Sequence, residues 1–200
     1  MHRIHYFLII FLLAFTYSCG DETSVDKLND IKSDASNFED GVSTAMEYND
    51  GVISEISLLD LKMMALNEQV ENGIDDTYSK VYEEFIKEYE RVSGVIYRVA
   101  PAGKGGTDFK ASALDYIDSY GEIIDYFAPE NITEMMEIMN GDATPSDEQS
   151  SYIADFMSAL EDVDSKFEAL AEAQQVFANK NDSYIKKEEV DLEEIYEETK

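Results

Sequence analysis

Apolar residues recur every three or four positions along most of this chain, and nowhere alternate every second position over a useful length. Steps of three and four trace one face of an α-helix, whereas a half-buried strand needs a period of two. The first long run, from about Ser36 to Asn72, places Val42, Ala45, Asn49, Val52, Ile56, Leu59, Met63, Leu66 and Val70 on one heptad seam. Asn49 is its one polar member, and Gly73 supplies the stop. The second run, about 75–100, carries Tyr78, Tyr82, Phe85, Tyr89, Val92, Ile96 and Val99, and breaks at Pro101-Ala102-Gly103-Lys104-Gly105-Gly106. Thr107 is placed to cap a third helix bearing Phe109, Ala113, Tyr116, Tyr120, Ile123 and Phe127, which stops near Pro129. A short amphipathic stretch, 131–140, presents Ile132, Met135, Met136 and Met139, a face suited to covering one end of a helical core or to an adaptable contact. Thr144-Pro145-Ser146-Asp147 then opens a fourth long helix, whose seam runs from Ile153 through Phe156, Leu160, Val163, Phe167 and Leu170 to Gln174 and Phe177.

Four seamed helices joined by short connections predict an all-α fold: an up-down-up-down four-helix bundle over residues 36–180, with a short extra helix between the third and fourth long helices. The flanking segments read differently. Residues 19–35 are polar and acidic and predict a flexible tether, reaching roughly 20 Å for sixteen residues. Residues 181–200 are a charged tail, with eight acids against three lysines from 182 onward and weak docking points at Ile185, Val190, Leu192 and Ile195-Tyr196.

The first eighteen residues change the picture of where the chain resides. Met1-His2-Arg3-Ile4-His5 is basic, and the apolar run Tyr6 to Phe15 is too short to span a bilayer but suits a secretory signal. Cys19, the one cysteine, follows directly. Thr16-Tyr17-Ser18-Cys19-Gly20 reads as a loose lipobox, with the small Ser18 just before the cut, although Thr16 and Tyr17 depart from the usual leucine and small residue. Residues 1–18 are therefore expected to be a lipoprotein signal peptide, and Cys19 the acylated residue that holds the protein to a membrane. Each buried methylene of such an anchor contributes about 0.8 kcal/mol. The loose box and the acidic Gly20-Asp21-Glu22 that follows point to an outer-membrane lipoprotein of Bacteroidota, exported to the cell surface.

Charge narrows the partners. The chain has 15 basic and 44 acidic residues, net −29, which argues against nucleic acid and against electrostatic docking on anionic lipid. At 44% hydrophobic residues it is still no disordered acidic polymer, so the carboxylates belong on solvated helix faces. Both histidines, His2 and His5, lie in the signal. Past Cys19 no histidine remains for the Glu-x-x-His ligands of a di-iron bundle or for a histidine-activated nucleophile. Gly103-Lys104-Gly105-Gly106-Thr107 lacks the order of a phosphate-binding loop, and Asn72-Gly73-Ile74-Asp75-Asp76 lacks the spacing of a calcium loop. Carboxylates such as Glu134 and Glu137 have a sufficient account in solvation. The expectation is a protein that is not an enzyme and holds neither metal nor cofactor. Its partners are the membrane, through the lipid, and a protein or polysaccharide.

Tyrosines on the second and third seams need hydroxyl partners when buried, and Asn49 and Gln174 are the polar seam residues that offer them. Asn49, Tyr89, Tyr116 and Gln174 therefore define a candidate ligand site: a small aromatic pocket between helices for an apolar or sugar-like ligand. The alternative is a core tuned by a few polar groups.

Ala113-Leu114-Asp115-Tyr116 with Tyr120, and Ala173-Gln174-Gln175-Val176-Phe177-Ala178-Asn179-Lys180, together with the signal and Cys19, carry a resemblance. The chain resembles the ErpY-like lipoproteins, small helical surface lipoproteins of spirochaetes and Bacteroidota whose biochemical activity is unassigned. The resemblance implies a lipid-anchored helical domain and transfers one functional residue, Cys19.

Overall fold

The computed structural model describes residues 24–40, 42, 44–141, 143–181 and 195–196. The signal peptide, Cys19 and most of the acidic tail lie outside the described residues. The fold is all-helical: α1 (Ser24–Asp40), α2 (Ala45–Asn72), α3 (Tyr78–Arg98), α4 (Gly106–Ile123), a 3-10 turn (Ile124–Phe127), α5 (Pro129–Met139) and α6 (Asp147–Lys180). No helix among the described residues is long and apolar enough to cross a membrane.

The tether expectation for residues 19–35 fails from Ser24 onward. Residues 24–40 form α1, which buries Ile31, Ala35 and Phe38 on one stripe against α2. Steps of four and three bring these side chains to one face, enough to hold a polar helix against its neighbour. The continuous first helix predicted from Ser36 to Asn72 is accordingly two helices, broken between Asp40 and Ala45. The break is set by a capping box: Thr44 Oγ1 accepts from the Glu47 N–H at 3.1 Å, and Glu47 Oε2 accepts from the Thr44 N–H at 3.0 Å. The two helices turn back on one another there, and Phe38 lies against Gly51, where a methyl group would overlap its ring.

The later elements follow local signals. Asp75 Oδ1 accepts from both the N–H and hydroxyl of Thr77, closing the turn into α3. At α4 the N-cap is Gly105, two residues earlier than Thr107. Gly103 (φ 75°) and Gly105 (φ 83°) take left-handed backbone, which folds the loop over Ala45, Phe177 and Asn181. Ser146, not Thr144, caps α6, in a reciprocal box with Gln149. The chain tightens into the 3-10 turn after Ile123, and Tyr78 and Tyr82 of α3 fasten that turn by donating to the Phe127 and Ile124 carbonyls at 2.7 and 3.3 Å.

α2 is the central helix, packed against α1, α3, α4 and α6, while α4 and α6 form the other close pair. The predicted seam residues Val52, Ile56, Leu59, Met63, Leu66 and Val70 are all buried. Aromatic rings fill the core in tiers: Phe38, Tyr48, Phe109 and Phe177 at one end, Phe85, Tyr116, Tyr120 and Phe167 in the middle, and Tyr126, Phe127, Tyr152 and Phe156 at the other. On α5, Ile132 and Met135 are buried and Met136 packs partly against the core, so this face covers hydrophobic surface. Of the tail, Ile195 is buried, and the Tyr196 hydroxyl donates to Glu68 on α2.

Candidate functional site

Being surrounded, α2 buries polar residues on both flanks of its apolar seam, and each reaches a different neighbour. Asp60, one position past Leu59, faces α4 and is 6% exposed. Tyr116 and Tyr120, four apart on α4, share one face and both donate to Asp60 Oδ1, at 3.0 and 2.7 Å. Their two hydroxyl oxygens are 2.8 Å apart, and the rings of Phe85 and Phe167 flank the cluster. No cation pairs with Asp60 among the described residues. Burial pushes its carboxyl up from 3.8 to about 6, against the opposing pull of the Tyr120 and Tyr116 hydrogen bonds. Burial, and the charge of Asp60, hold both phenols well above their usual range. From α6, the Asp164 charge also acts on Tyr116, and Asp164 itself is raised to about 6 by burial and by Glu168 and Glu161.

Three oxygens within mutual hydrogen-bond distance impose a proton count. With Asp60 ionised, two hydroxyl protons serve three O···O contacts, and one contact is left without a proton. The two phenol hydrogen bonds to Oδ1 favour the ionised acid, burial favours the neutral one, and burial prevails.

A second buried carboxylate, Glu55, is fully enclosed and meets Arg91 of α3 through two bonds, 3.2 and 2.6 Å. Arg91 also reaches Glu88 at 2.7 Å and Glu39 of α1 at 2.7 Å, so one guanidinium ties three helices. Burial raises the Glu55 carboxyl even though Arg91 opposes the shift. The third pair is Asn49 and Gln174, joined by Gln174 Nε2 donating to Asn49 Oδ1 at 3.2 Å.

Of the four residues expected to share a pocket, Asn49 and Gln174 are brought together, and Tyr89 and Tyr116 lie elsewhere. Asn49 and Gln174 satisfy one another and do not receive the tyrosine hydroxyls. Eleven residues along α2 separate Asn49 from the Asp60–Tyr116 contact, about 16 Å of helix rise. Tyr89 sits half-buried between α3 and α4, its hydroxyl against Gly121. The hydroxyl partner of Tyr116 is Asp60, a residue whose sequence signal was only its place beside the seam. Tyr48, also off the seam, is fully buried with its hydroxyl unpartnered, and burial pushes that phenol up to about 12. Among the described residues no three His, Cys, Asp or Glu side chains are grouped to hold a metal; Glu134 instead accepts from Gln149.

The open space lies elsewhere, at the end where α3 finishes. A half-open groove of about 290 Å³ is lined by Glu39, Val42, Val95, Arg98, Val99 and Ala100. Beside it Tyr97 is 74% exposed, with the Lys110 ammonium 6.0 Å from its ring centroid. Lys110 donates to the Tyr97 and Val99 carbonyls at 2.8 and 2.7 Å. Arg98 and Lys104 are exposed, and Lys180 is 3.8 Å from Asp108.

No family model, curated protein or solved structure matches this chain.

Proposed function

We propose that the protein is a surface lipoprotein of the ErpY-like kind, anchored in the outer membrane through Cys19, which works by contact and not by catalysis. On this reading α2, α3, α4 and α6 run up-down-up-down as a four-helix bundle, with α1 laid along α2. The observation that carries the proposal is the separation of two ends. Ser24 lies five positions after Cys19, and α1 then runs seventeen residues, about 25 Å, to Glu39 and the groove at the end of α3. An anchor at Cys19 would hold one end near the lipid and present the groove, Tyr97 and Arg98 away from it. The lack of histidine and of any second thiol after Cys19 agrees with a contact role.

Mass spectrometry of the mature N-terminus should find acylated Cys19, and protease shaving of intact cells should cleave the protein. Cys19→Ala should move it out of the membrane fraction. A mature N-terminus elsewhere, or unchanged partition of the variant, would overturn the proposal.

A further inference from the structure

α1 is fastened to the other helices at few points. Of its seventeen residues Ile31, Ala35 and Phe38 are buried, and of these Phe38 alone belongs to the continuous core. The Phe38 ring sits in a notch that a glycine leaves open: a Cβ on Gly51 would lie 2.3 to 2.6 Å from Phe38 atoms. The ring also packs on Tyr48, with centroids 5.7 Å apart. A second fastening is Glu39, 2.7 Å from Arg91, its side chain 46% exposed. The Glu39 charge also opposes ionisation of the enclosed Glu55, so the ion pair that holds α1 is partly offset.

Three buried polar contacts lock the other helices, and none includes α1. Asn49 with Gln174, Glu55 with Arg91, and Asp60 with Tyr116 and Tyr120 join α2 to α6, α3 and α4. If α1 left, Arg91 would keep Glu55 and Glu88, so no buried charge would lose its partner. The Tyr48 hydroxyl has no partner while α1 is in place, so it has no bond to lose. Off the bundle α1 would not stay helical. Isolated helices of about 12–15 residues are marginal in water even when rich in alanine, and nine of the seventeen residues of α1 are Ser, Asp or Asn.

We propose that α1 is a releasable strap, helical only while Phe38 is seated against Gly51, which opens without unfolding the other helices. Because Cys19 leads into it, release would change the reach of the protein. Seventeen residues span about 25 Å as a helix and up to about 60 Å when extended. That consequence rests on the anchor proposed above; the opening itself does not.

The test is native-state hydrogen exchange of the full chain in detergent, read by mass spectrometry of peptides. The α1 amides between Ile31 and Phe38 should exchange about tenfold or more faster than those in the middle of α4 and α6. Gly51→Ala, which crowds Phe38, should speed α1 exchange about tenfold. Ile117 is buried in α4. Ile117→Val weakens the closed and open forms alike, so it should speed α4 exchange severalfold and leave α1 exchange unchanged. Equal protection of α1 and α4 would overturn the proposal, as would α1 exchange indifferent to Gly51→Ala. So would α1 exchange that rises with Ile117→Val as much as α4 exchange does, because α1 would then open only when the whole fold does. Acylation of Cys19 is measured separately, so a failed anchor and a failed strap give different results.

Discussion

Asp60 makes the buried cluster measurable. Its carboxyl titrates near 6 in the folded protein against 3.8 when unfolded. A shift of that size corresponds to about 3 kcal/mol. The sign follows from the two protonation states. Below the unfolded value Asp60 is neutral in both states and contributes no penalty. As pH rises from about 4 to 6 the unfolded chain ionises first, so the folded state loses stability until its own carboxyl ionises. Above that the loss is constant. Asp60→Asn keeps an acceptor for the Tyr116 and Tyr120 hydroxyls and carries no charge. Relative to this variant, the parent should therefore lose about 2.5 kcal/mol of unfolding free energy between pH 4 and pH 7.5. Other carboxylates, Asp164 among them, titrate in both proteins and cancel in the difference. Urea unfolding at steps of pH gives that difference, and carbon NMR of the Asp60 carboxyl gives its titration directly. A difference independent of pH, or a carboxyl already ionised at pH 5, would refute the burial account.

Three other perturbations test the rest of the core. Arg91→Met leaves Glu55 enclosed and unpaired between Glu39 and Glu88, and should cost about 3–5 kcal/mol in urea unfolding, with part recovered by adding Glu55→Gln. Tyr48→Phe removes a buried hydroxyl that has no partner and should stabilise by about 1 kcal/mol, seen as a raised Tm. Gly51→Ala should destabilise by about 1–3 kcal/mol, although alanine is the better helix former, because the added methyl displaces the Phe38 ring; a rise in Tm would show that α1 is loosely held.

The heptad seams were legible because they are one-dimensional: Val52 to Val70 and Phe156 to Phe177 keep their spacing whatever they pack against. What was not legible depended on partners. α1 shows a sparse stripe, Leu28, Ile31, Ala35 and Phe38, which polar composition concealed, and only a helix as enclosed as α2 could give it a surface. Asp60 and Glu55 flank the seam, and a flank is exposed on a helix with two neighbours but buried on one with four. Asn49 and Gln174 stood out as polar seam positions, and their importance was readable, yet not that each is the other's partner. The Arg91 cluster has no sequence signature at all, since Glu39, Glu55 and Glu88 resemble any solvated carboxylates until three helices converge.

The buried polar groups also solve a problem that the seams create. A heptad pattern is nearly self-similar after seven residues, so sliding one helix by about 10 Å along another restores most apolar contacts. Along α2, Asn49 meets α6 through Gln174, Glu55 meets α3 through Arg91, and Asp60 meets α4 through two tyrosines. Each neighbour is matched at a different level, and a slide by one heptad would leave the corresponding group buried without its partner. An unpaired buried polar group costs about 1–3 kcal/mol, more when charged, which is a large share of the stability of an ordinary domain. The charged pair and the carboxylate cluster weaken the protein relative to an aliphatic core, and in exchange they leave one alignment of the helices far below its shifted alternatives. That alignment also sets the end of α1 and the connection into α2 against the end of α3, so the groove lined by Glu39, Val42, Val95 and Arg98 depends on polar contacts made further along α2.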